Sequence, residues 1–472
     1  MNLENYYDIR KIKNTEHIKR IFFYRICGTG MGASACLLKS AGYDVFGADK
    51  NFYPPMSTYL SESSIEMHEL DNFNLNDLKG NCDLIVVGNV VSGKSEEARV
   101  IEELGIPYCS FPAAIGSLIL DKKKVIGLAG THGKTTTTYL GIQIFEALGM
   151  SPGYLVGAVL ENRPSALMTE SPYFFIESDE YDSAYFEKFS KFRSYSVDHL
   201  ILTSLEFDHA DIFESLEDIK DEFRAILPEV TNSIACSDWE SIRDLFGAMD
   251  TPFIPYGKNE INIKSTSAKG TAFSLKYEDK LFDFETNLVG THNIYNLSSI
   301  ILFALSEKIA PEKINAAIAN LKHAKRRQEE VGHYNGALVI DDFAHHPTAV
   351  EETIAAIKLK YPDKEIHAYL EPGSATARSD IFQDRFISTL KDAAKVWIIN
   401  PNRKTTAIGH DDMDFDKLLV DLQKGQEAAM LSDLSELIKA IKENSNDNVV
   451  NLVMSNSTCL GLWSSEFAKN IM

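Results

Sequence analysis

Cysteine is scarce and scattered in this 472-residue chain: Cys27, Cys36, Cys82, Cys109, Cys236 and Cys459, with no C-x-x-C pair. That spacing excludes a disulfide or zinc framework and fits the reduced thiols of a cytoplasm. Positive charge is also short, with 47 Lys and Arg against 68 Asp and Glu and a net charge of −21. A nucleic-acid binder needs a basic face, so that class is set aside. Long apolar runs are missing, and nothing approaches the ~18 residues of a membrane span. Residues 1–20 are polar and mixed in charge, without the apolar core of a secretion signal. No repeat, low-complexity tract or Pro/Gly/Ser-rich linker divides the chain, so domains must be placed by pattern.

What remains is an ordinary globular composition, 44% hydrophobic and 24% charged. The length is too great for one core and suits about three domains. Strand-like runs at 21–27, 44–48, 84–88, 125–129, 174–177, 200–203, 338–340, 365–370, 396–400 and 449–454 alternate with helical patterns. Such alternation predicts an α/β fold with mostly parallel sheets. A charged break at 121–124 and a basic cluster, Lys325-Arg326-Arg327, suggest boundaries near 121 and 330. The expected parts are an extension at 1–20 and domains at 21–121, 122–330 and 331–472. Residues 264–290 alternate polar and apolar, which predicts an antiparallel hairpin at the edge of the middle domain.

The segment Gly130-Thr131-His132-Gly133-Lys134-Thr135-Thr136 follows a strand-like run and opens a helical pattern that continues to about residue 148. A glycine turn between strand and helix aims backbone N–H groups and the helix's positive end at one spot, which suits a phosphate chain. Lys134 adds charge for the β and γ oxygens, and Thr135 a hydroxyl for Mg²⁺. The strict pattern G-x-x-x-x-G-K-[ST] asks for glycine where this chain has Leu128.

Other strand ends carry candidate chemistry. Gly28-Thr29-Gly30-Met31-Gly32-Ala33, with Asp49 at the end of the next run, fits a dinucleotide-type turn; a nucleotide, an NAD-type cofactor or a purely structural turn all satisfy it. Glu177 ends a run beside the phosphate loop and suits a hard cation. His209, in Leu205-Glu206-Phe207-Asp208-His209, is either a loop residue or a site residue. Asn293 either caps the helix that follows or reads an adenine edge. Arg326 and Arg327 are a solvated pair or a cation able to swing onto a transferring phosphoryl group. Asp341-Asp342-Phe343-Ala344-His345-His346 has the composition of a metal cluster, but adjacent histidines diverge. It fits a nucleotide- or substrate-contacting loop better.

Taken jointly, Gly130–Thr136, Glu177, Asp208-His209, His292-Asn293 with Asn296, Arg326-Arg327 and Asp341-Asp342 through Pro347 resemble the Mur ligase family of peptidoglycan synthesis in order and spacing. The resemblance runs from about residue 21 to the end. It explains Leu128, because the family's loop is G-T-x-G-K-T. The resemblance is closest to members that act on UDP-N-acetylmuramate and add a peptide. It implies a three-domain ligase: a Rossmann-like domain for the UDP-sugar, a central P-loop ATPase domain with a mostly parallel sheet, and a Rossmann-like domain for the peptide.

The resemblance also implies roles. ATP and Mg²⁺ are the expected cofactors, with UDP-N-acetylmuramate and a murein tripeptide as substrates. Lys134, His209, Arg327 and His346 are the expected catalytic residues. Thr135, Glu177 and His209 are the expected metal ligands. Gly130, Thr131, His132, Gly133, Lys134, Thr135, Thr136, Asn293, Asn296, Arg327 and Asp342 are expected to hold ATP. Gly28, Gly30, Met31, Gly32, Asp49, Asn89, His345 and Arg378 are expected at the substrates. Gly373 stands where similar chains tend to carry an arginine, and Arg378 is a substitute for it. A carbamylated lysine, used by some branches, has no convincing place; Lys220 is the nearest. A cytoplasmic monomer or weak homo-oligomer is expected, without nucleic acid or membrane. The alternatives are a ligase that adds L-alanine, a non-catalytic UDP-sugar-binding NTPase, and an NAD-dependent oxidoreductase.

Overall fold

The computed structural model describes residues 15–471 except 159, 161, 162 and 402. Residues 1–14 of the expected extension lie outside the described residues. The chain divides into two compact units. One holds the described residues up to Gly130 with Thr137–Ser204 and Lys220–Pro255. The other holds Thr131–Thr136, Leu205–Ile219 and the chain from Tyr256 onward.

In the first unit, β1 (Arg20–Tyr24), β2 (Asp44–Asp49), β3 (Glu66–Glu69), β4 (Leu84–Val87) and β5 (Tyr108–Cys109) form a sheet in the order β3-β2-β1-β4-β5. Every pairing is parallel, the arrangement of a Rossmann-like half. A second sheet contains β6 (Lys124–Ala129), β7 (Gly153–Leu155), β8 (Ala166–Leu167), β9 (Tyr173–Glu177), β10 (His199–Leu202), β11 (Asn232–Cys236) and β12 (Ile254–Tyr256). Its order is β12-β11-β10-β6-β9-β7-β8. Strand β6 is central, and Leu128 pairs in register with Glu177 on one side and Ile201 on the other. Position 128 is therefore a buried strand residue, where glycine would weaken the ladder. The turn begins two residues later.

In the second unit, β13 (Ile261–Ser267), β14 (Gly270–Tyr277) and β15 (Lys280–Thr286) make an antiparallel sheet. The expected hairpin thus has a third strand. Its β14–β15 turn is Glu278-Asp279, both residues at positive φ, as a two-residue primed turn requires. The last sheet contains β16 (Glu329–Tyr334), β17 (Ala337–Asp342), β18 (Glu365–Glu371), β19 (Lys395–Ile399), β20 (Glu427–Leu431) and β21 (Val449–Ser455), in the order β16-β17-β21-β18-β19-β20. All pairings are parallel except β16 with β17.

Alternate residues of this sheet enter two separate cores. Leu338, Ile340, Ala368, Leu370, Val396, Ile398, Leu452 and Met454 face one. Val339, Tyr369, Trp397, Ile399 and Val453 face the other. Both faces are covered, which is why these strands read as continuous apolar runs. Each fully buried aliphatic side chain contributes roughly 1.5–3 kcal/mol. The register also aligns the carboxyl ends: Asp342 and Leu370 both pair with Met454, and Glu371 with Ser455. Loops leaving these ends therefore gather at one edge, the usual place for ligands in open α/β sheets.

Candidate active site

In the first unit, Gly28 to Gly32 form the turn after β1 and the start of helix Thr29–Ser40. Met31 is buried there. Asp49 is committed to this turn: its carboxylate accepts from the N–H groups of Cys27 and Lys50, both at 2.8 Å, and from Arg25 Nη1 at 3.2 Å. It fixes the shape of the turn. Asn89 donates to Asp182 Oδ1 at 3.1 Å. Glu177 ends β9, and a Cβ on Gly157 would stand 3.0 Å from its Oε2. Lys220 is buried, with Asp244 Oδ2 at 3.9 Å from its ammonium.

The phosphate loop runs from the end of β6 into helix Lys134–Ala147, with Gly130 at φ +126° and Gly133 at φ +85°. A Cβ on Gly133 would lie 2.6 Å from Asn296 Oδ1. The loop's bare backbone at a helix start is the cradle that a triphosphate fits. Asn296 belongs to helix Thr291–Ser306 and is 8% exposed. That helix is capped by Gly290, not by Asn293, whose amide donates back to Val289 O at 2.8 Å.

The two neighbouring arginines part company. Arg327 Nη2 donates to Thr135 Oγ1 at 3.3 Å, and its guanidinium lies 4.6 Å from the centre of the Phe343 ring. Arg326 instead pairs with Asp341 at 3.1 Å and donates to Ser455 O at 2.5 Å. Arg327 is the cation at the phosphate loop. Asp342 is buried, and its oxygens accept from Gln328 N at 2.7 Å and Ala344 N at 2.8 Å. It shapes the loops on either side of Arg327 and His345.

Glu206 was not singled out in the sequence, yet much of the site converges on it. Thr131 Oγ1 brackets its backbone, accepting from Glu206 N at 2.8 Å and donating to Glu206 O at 3.1 Å. Its carboxylate accepts from His132 at 3.0 Å, Thr348 Oγ1 at 2.7 Å and Arg385 Nη1 at 3.1 Å. Burial raises its pKa, but His132 and the hydrogen bonds more than offset this and bring it to about 2. His132, Glu206 and His346 each offer a donor atom, all within 4.8 Å of one another. Both carboxylate oxygens are already engaged and Arg385 brings a positive charge, so this group acts as a hydrogen-bonded latch.

His345 and His346 hold their rings in opposite senses. His345 Nδ1 lies 2.9 Å from Phe343 O, which can only accept, so Nδ1 carries the proton and Nε2 keeps its lone pair. His346 is the N-cap of helix Pro347–Lys360, and its Nδ1 accepts from Thr348 N at 3.3 Å. The proton is then on Nε2, which is buried without a hydrogen-bond partner among the described residues. Burial pushes His345 down to about 4 and His346 to about 3, so both are neutral at pH 7. The His346 ring lies 4.4 Å from that of His132, centre to centre.

Asp208 is buried beside these rings. Burial alone would raise its pKa, but His209, His346, His345 and Thr376 hold it well below the usual carboxylate range. His209 sits at φ +57°, and the next N–H, of Ala210, donates to Thr376 Oγ1 at 3.1 Å. Arg378 is 7% exposed and lies two residues beyond Thr376.

The Mur ligase family catalytic domain matches residues 20–123, the Mur ligase middle domain residues 128–304, and the Mur ligase glutamate ligase domain residues 326–457. The UDP-N-acetylmuramate–L-alanyl-γ-D-glutamyl-meso-2,6-diaminoheptandioate ligase of Escherichia coli K12 is 36% identical over 408 residues, which is 81% of this chain and 85% of that one. The UDP-N-acetylmuramate–L-alanine ligase of Lactiplantibacillus plantarum is 32% identical over 426 residues, 88% and 92% of the two chains. Among solved structures, a murein peptide ligase of Psychrobacter arcticus 273-4 matches with TM-score 0.66 and 28% identity, covering 94% of this chain and 97% of that one.

Proposed function

Because the chain belongs to the Mur ligase family, we propose that it joins L-Ala-γ-D-Glu-meso-diaminopimelate to UDP-N-acetylmuramate in peptidoglycan recycling. It is an ATP-dependent, ADP-forming carbon–nitrogen ligase. One observation carries the reading: a phosphate-loop residue, Thr135, is held by Arg327 in the same unit that sets the His132 ring 4.4 Å from that of His346. Phosphoryl transfer and acyl transfer need these two sets of groups together.

In the proposed division, 21–121 binds the UDP-sugar through Gly28, Gly30, Met31, Gly32 and Asn89, with Asp49 shaping the turn. Residues 122–330 bind ATP through Gly130–Thr136, Asn293, Asn296 and Arg327, aided by Asp342. Residues 331–472 bind the peptide. A lactyl carboxylate oxygen attacks the γ-phosphorus and ADP leaves, giving an acyl phosphate. The peptide's amine then attacks the carbonyl carbon and phosphate leaves. Lys134 and Arg327 offset negative charge on the moving phosphoryl group. His345 Nε2 takes the amine's proton, and His346 Nε2–H donates to the developing oxyanion. The hydroxyl of Thr135 and the carboxylate of Glu177 suit one Mg²⁺ and the imidazole of His209 a second, and we assign them so. When bound, the ions would supply charge against the repulsion between the two anions.

A second reading, ligation of L-alanine, is favoured by the 32% identity to the Lactiplantibacillus plantarum relative. Phosphate release from ATP with UDP-N-acetylmuramate and each acceptor in turn decides between them. Turnover with L-Ala but not tripeptide selects the second reading, and no turnover with either overturns both. Among the described residues no helix is long and apolar enough to cross a membrane. We place the enzyme in the cytoplasm as a monomer or weak homo-oligomer.

A further inference from the structure

We propose that Gln328 is a positioning residue for phosphoryl transfer. Its side-chain amide, anchored on His292, locks the turn that presents Arg327 and ties that arginine to the helix carrying Asn293 and Asn296. The proposal rests on the ligase reading, in which Arg327 offsets charge on the moving phosphoryl group.

Arg327 sits between two residues in the left-handed region, Arg326 at φ +58° and Gln328 at φ +50°. Side chains other than glycine enter this region uncommonly, and they stay there where surrounding bonds over-determine the turn. On one side those bonds come from the end of β17. Arg326 Nε pairs with Asp341 at 3.1 Å, Phe343 N donates to Arg326 O at 2.8 Å, and Gln328 N donates to Asp342 at 2.7 Å. They fix the turn to the C-terminal sheet. On the other side, Gln328 Nε2 lies 3.0 Å from His292 Nε2, in the first turn of helix Thr291–Ser306. An amide nitrogen can only donate, so the ring nitrogen accepts and the ring's proton is on Nδ1. Burial lowers the pKa of His292 to about 4, which keeps the lone pair free at pH 7. Gln328 is itself buried, and the low-dielectric setting strengthens the bond.

One residue thus bonds through its backbone to β17 and through its side chain to the helix. That helix also sets Asn296 against Gly133 of the phosphate loop, and Arg327 donates to Thr135 in the same loop. The contacts close a circuit from phosphate loop to Asn296, His292, Gln328, Arg327 and back. A nucleotide seated on Asn293 and Asn296 therefore meets Arg327 already oriented. Without the amide, the left-handed turn can relax, and a smaller fraction of molecules presents the guanidinium. The loss falls on the chemical step, because the arginine acts on charge that develops in the transition state.

The test is Gln328→Leu, which keeps most of the side chain's bulk but cannot donate. With ATP, UDP-N-acetylmuramate and the acceptor that the native enzyme uses, kcat should fall by on the order of tenfold. KM for ATP and for UDP-N-acetylmuramate should stay within about twofold. His292→Phe removes the same bond from its other end and should give a similar loss in kcat, and thermal melting checks that each variant folds. The decisive readout is a double variant. In an Arg327→Lys background, where a flexible ammonium replaces the oriented fork, Gln328→Leu should lower kcat by less than about twofold. An equal fall in both backgrounds would make Gln328 merely structural and overturn the proposal, as would an unchanged kcat in either folded single variant. Failure of the native enzyme to turn over with any acceptor would instead overturn the ligase reading beneath it.

Discussion

Glu206 and Arg385 meet at 3.1 Å although 179 residues separate them in the chain. An exposed ion pair of this kind is worth little, and Arg385 is 46% exposed. The weight comes from the other partners of the same carboxylate, His132 and Thr348, and from Arg385 Nη2 donating to Thr348 Oγ1 at 2.7 Å. One charge ties the phosphate loop to the start of helix Pro347–Lys360. Glu206→Gln should therefore lower kcat/KM by on the order of 10- to 100-fold and raise KM for ATP. Steady-state kinetics within about twofold of native would refute the latch.

Lys134→Ala is expected to abolish phosphate release while leaving UDP-sugar binding largely intact. Calorimetry with UDP-N-acetylmuramate separates the two. Loss of both would contradict the division of labour between domains.

Gly133→Ala places a methyl group 2.6 Å from Asn296 Oδ1 at a backbone φ of +85°. Strain of this kind costs about 1–3 kcal/mol, and relief requires the loop to move. KM for ATP should rise at least about tenfold. An unchanged value would mean that the loop does not need its present shape.

The opposed tautomers of His345 and His346 predict an asymmetry between like substitutions. Gln places an amide N–H near the Nε2 position, so His346→Gln should retain partial activity. His346→Phe should lose on the order of 10²–10³ in kcat. Gln cannot accept a proton, so His345→Gln should be as damaged as His345→Phe. The reverse pattern would exchange the two roles.

Acid should weaken the second unit before ordinary carboxylates titrate. Burial lowers the pKa of His292, His323 and His345 to about 4 and of His346 to about 3, and it lowers His367 as well. Unfolded, these groups titrate near 6.5. The unfolded chain binds more protons in between, so their contribution is intact above about pH 6.5 and falls as pH drops toward 4. Burial raises three carboxyls, Asp341 to about 6, Glu352 to about 7, and Asp342. These oppose the trend, since the fold holds protons that the unfolded chain has released. Five histidines outnumber three carboxyls, so the urea midpoint should be lower at pH 5 than at pH 7.5. A higher midpoint at pH 5 would contradict this balance.

All ten apolar runs read as strands are strands, because parallel strands covered on both faces carry the strongest signal in a sequence. The strands left unread are mostly short or at edges. Ala166–Leu167 has two residues, and Glu66–Glu69 is Glu-Met-His-Glu, without an apolar face. The phosphate loop was legible because its chemistry is contiguous. Glu206 was not, since its partners His132, Thr348 and Arg385 lie far away in sequence. By residue type Asn293 could be a cap or an adenine contact, and Gly290 at φ +100° takes the cap position instead. Arg326 and Arg327 were indistinguishable as a dipeptide, and only the positions of Asp341 and Thr135 separate them.

A Cβ on Gly373, just past the end of β18, would lie 2.1 Å from Oδ1 of Asn456, just past the end of β21, and this constrains how the chain can change. Any side chain acquired at 373 must wait for a smaller or reoriented residue at 456, so the two positions cannot drift independently. A library that varies 373 alone should return residues that displace the Asn456 amide, and fewer of them than one that varies both. One that varies both should recover functional pairs, each compensating the other across the ends of β18 and β21.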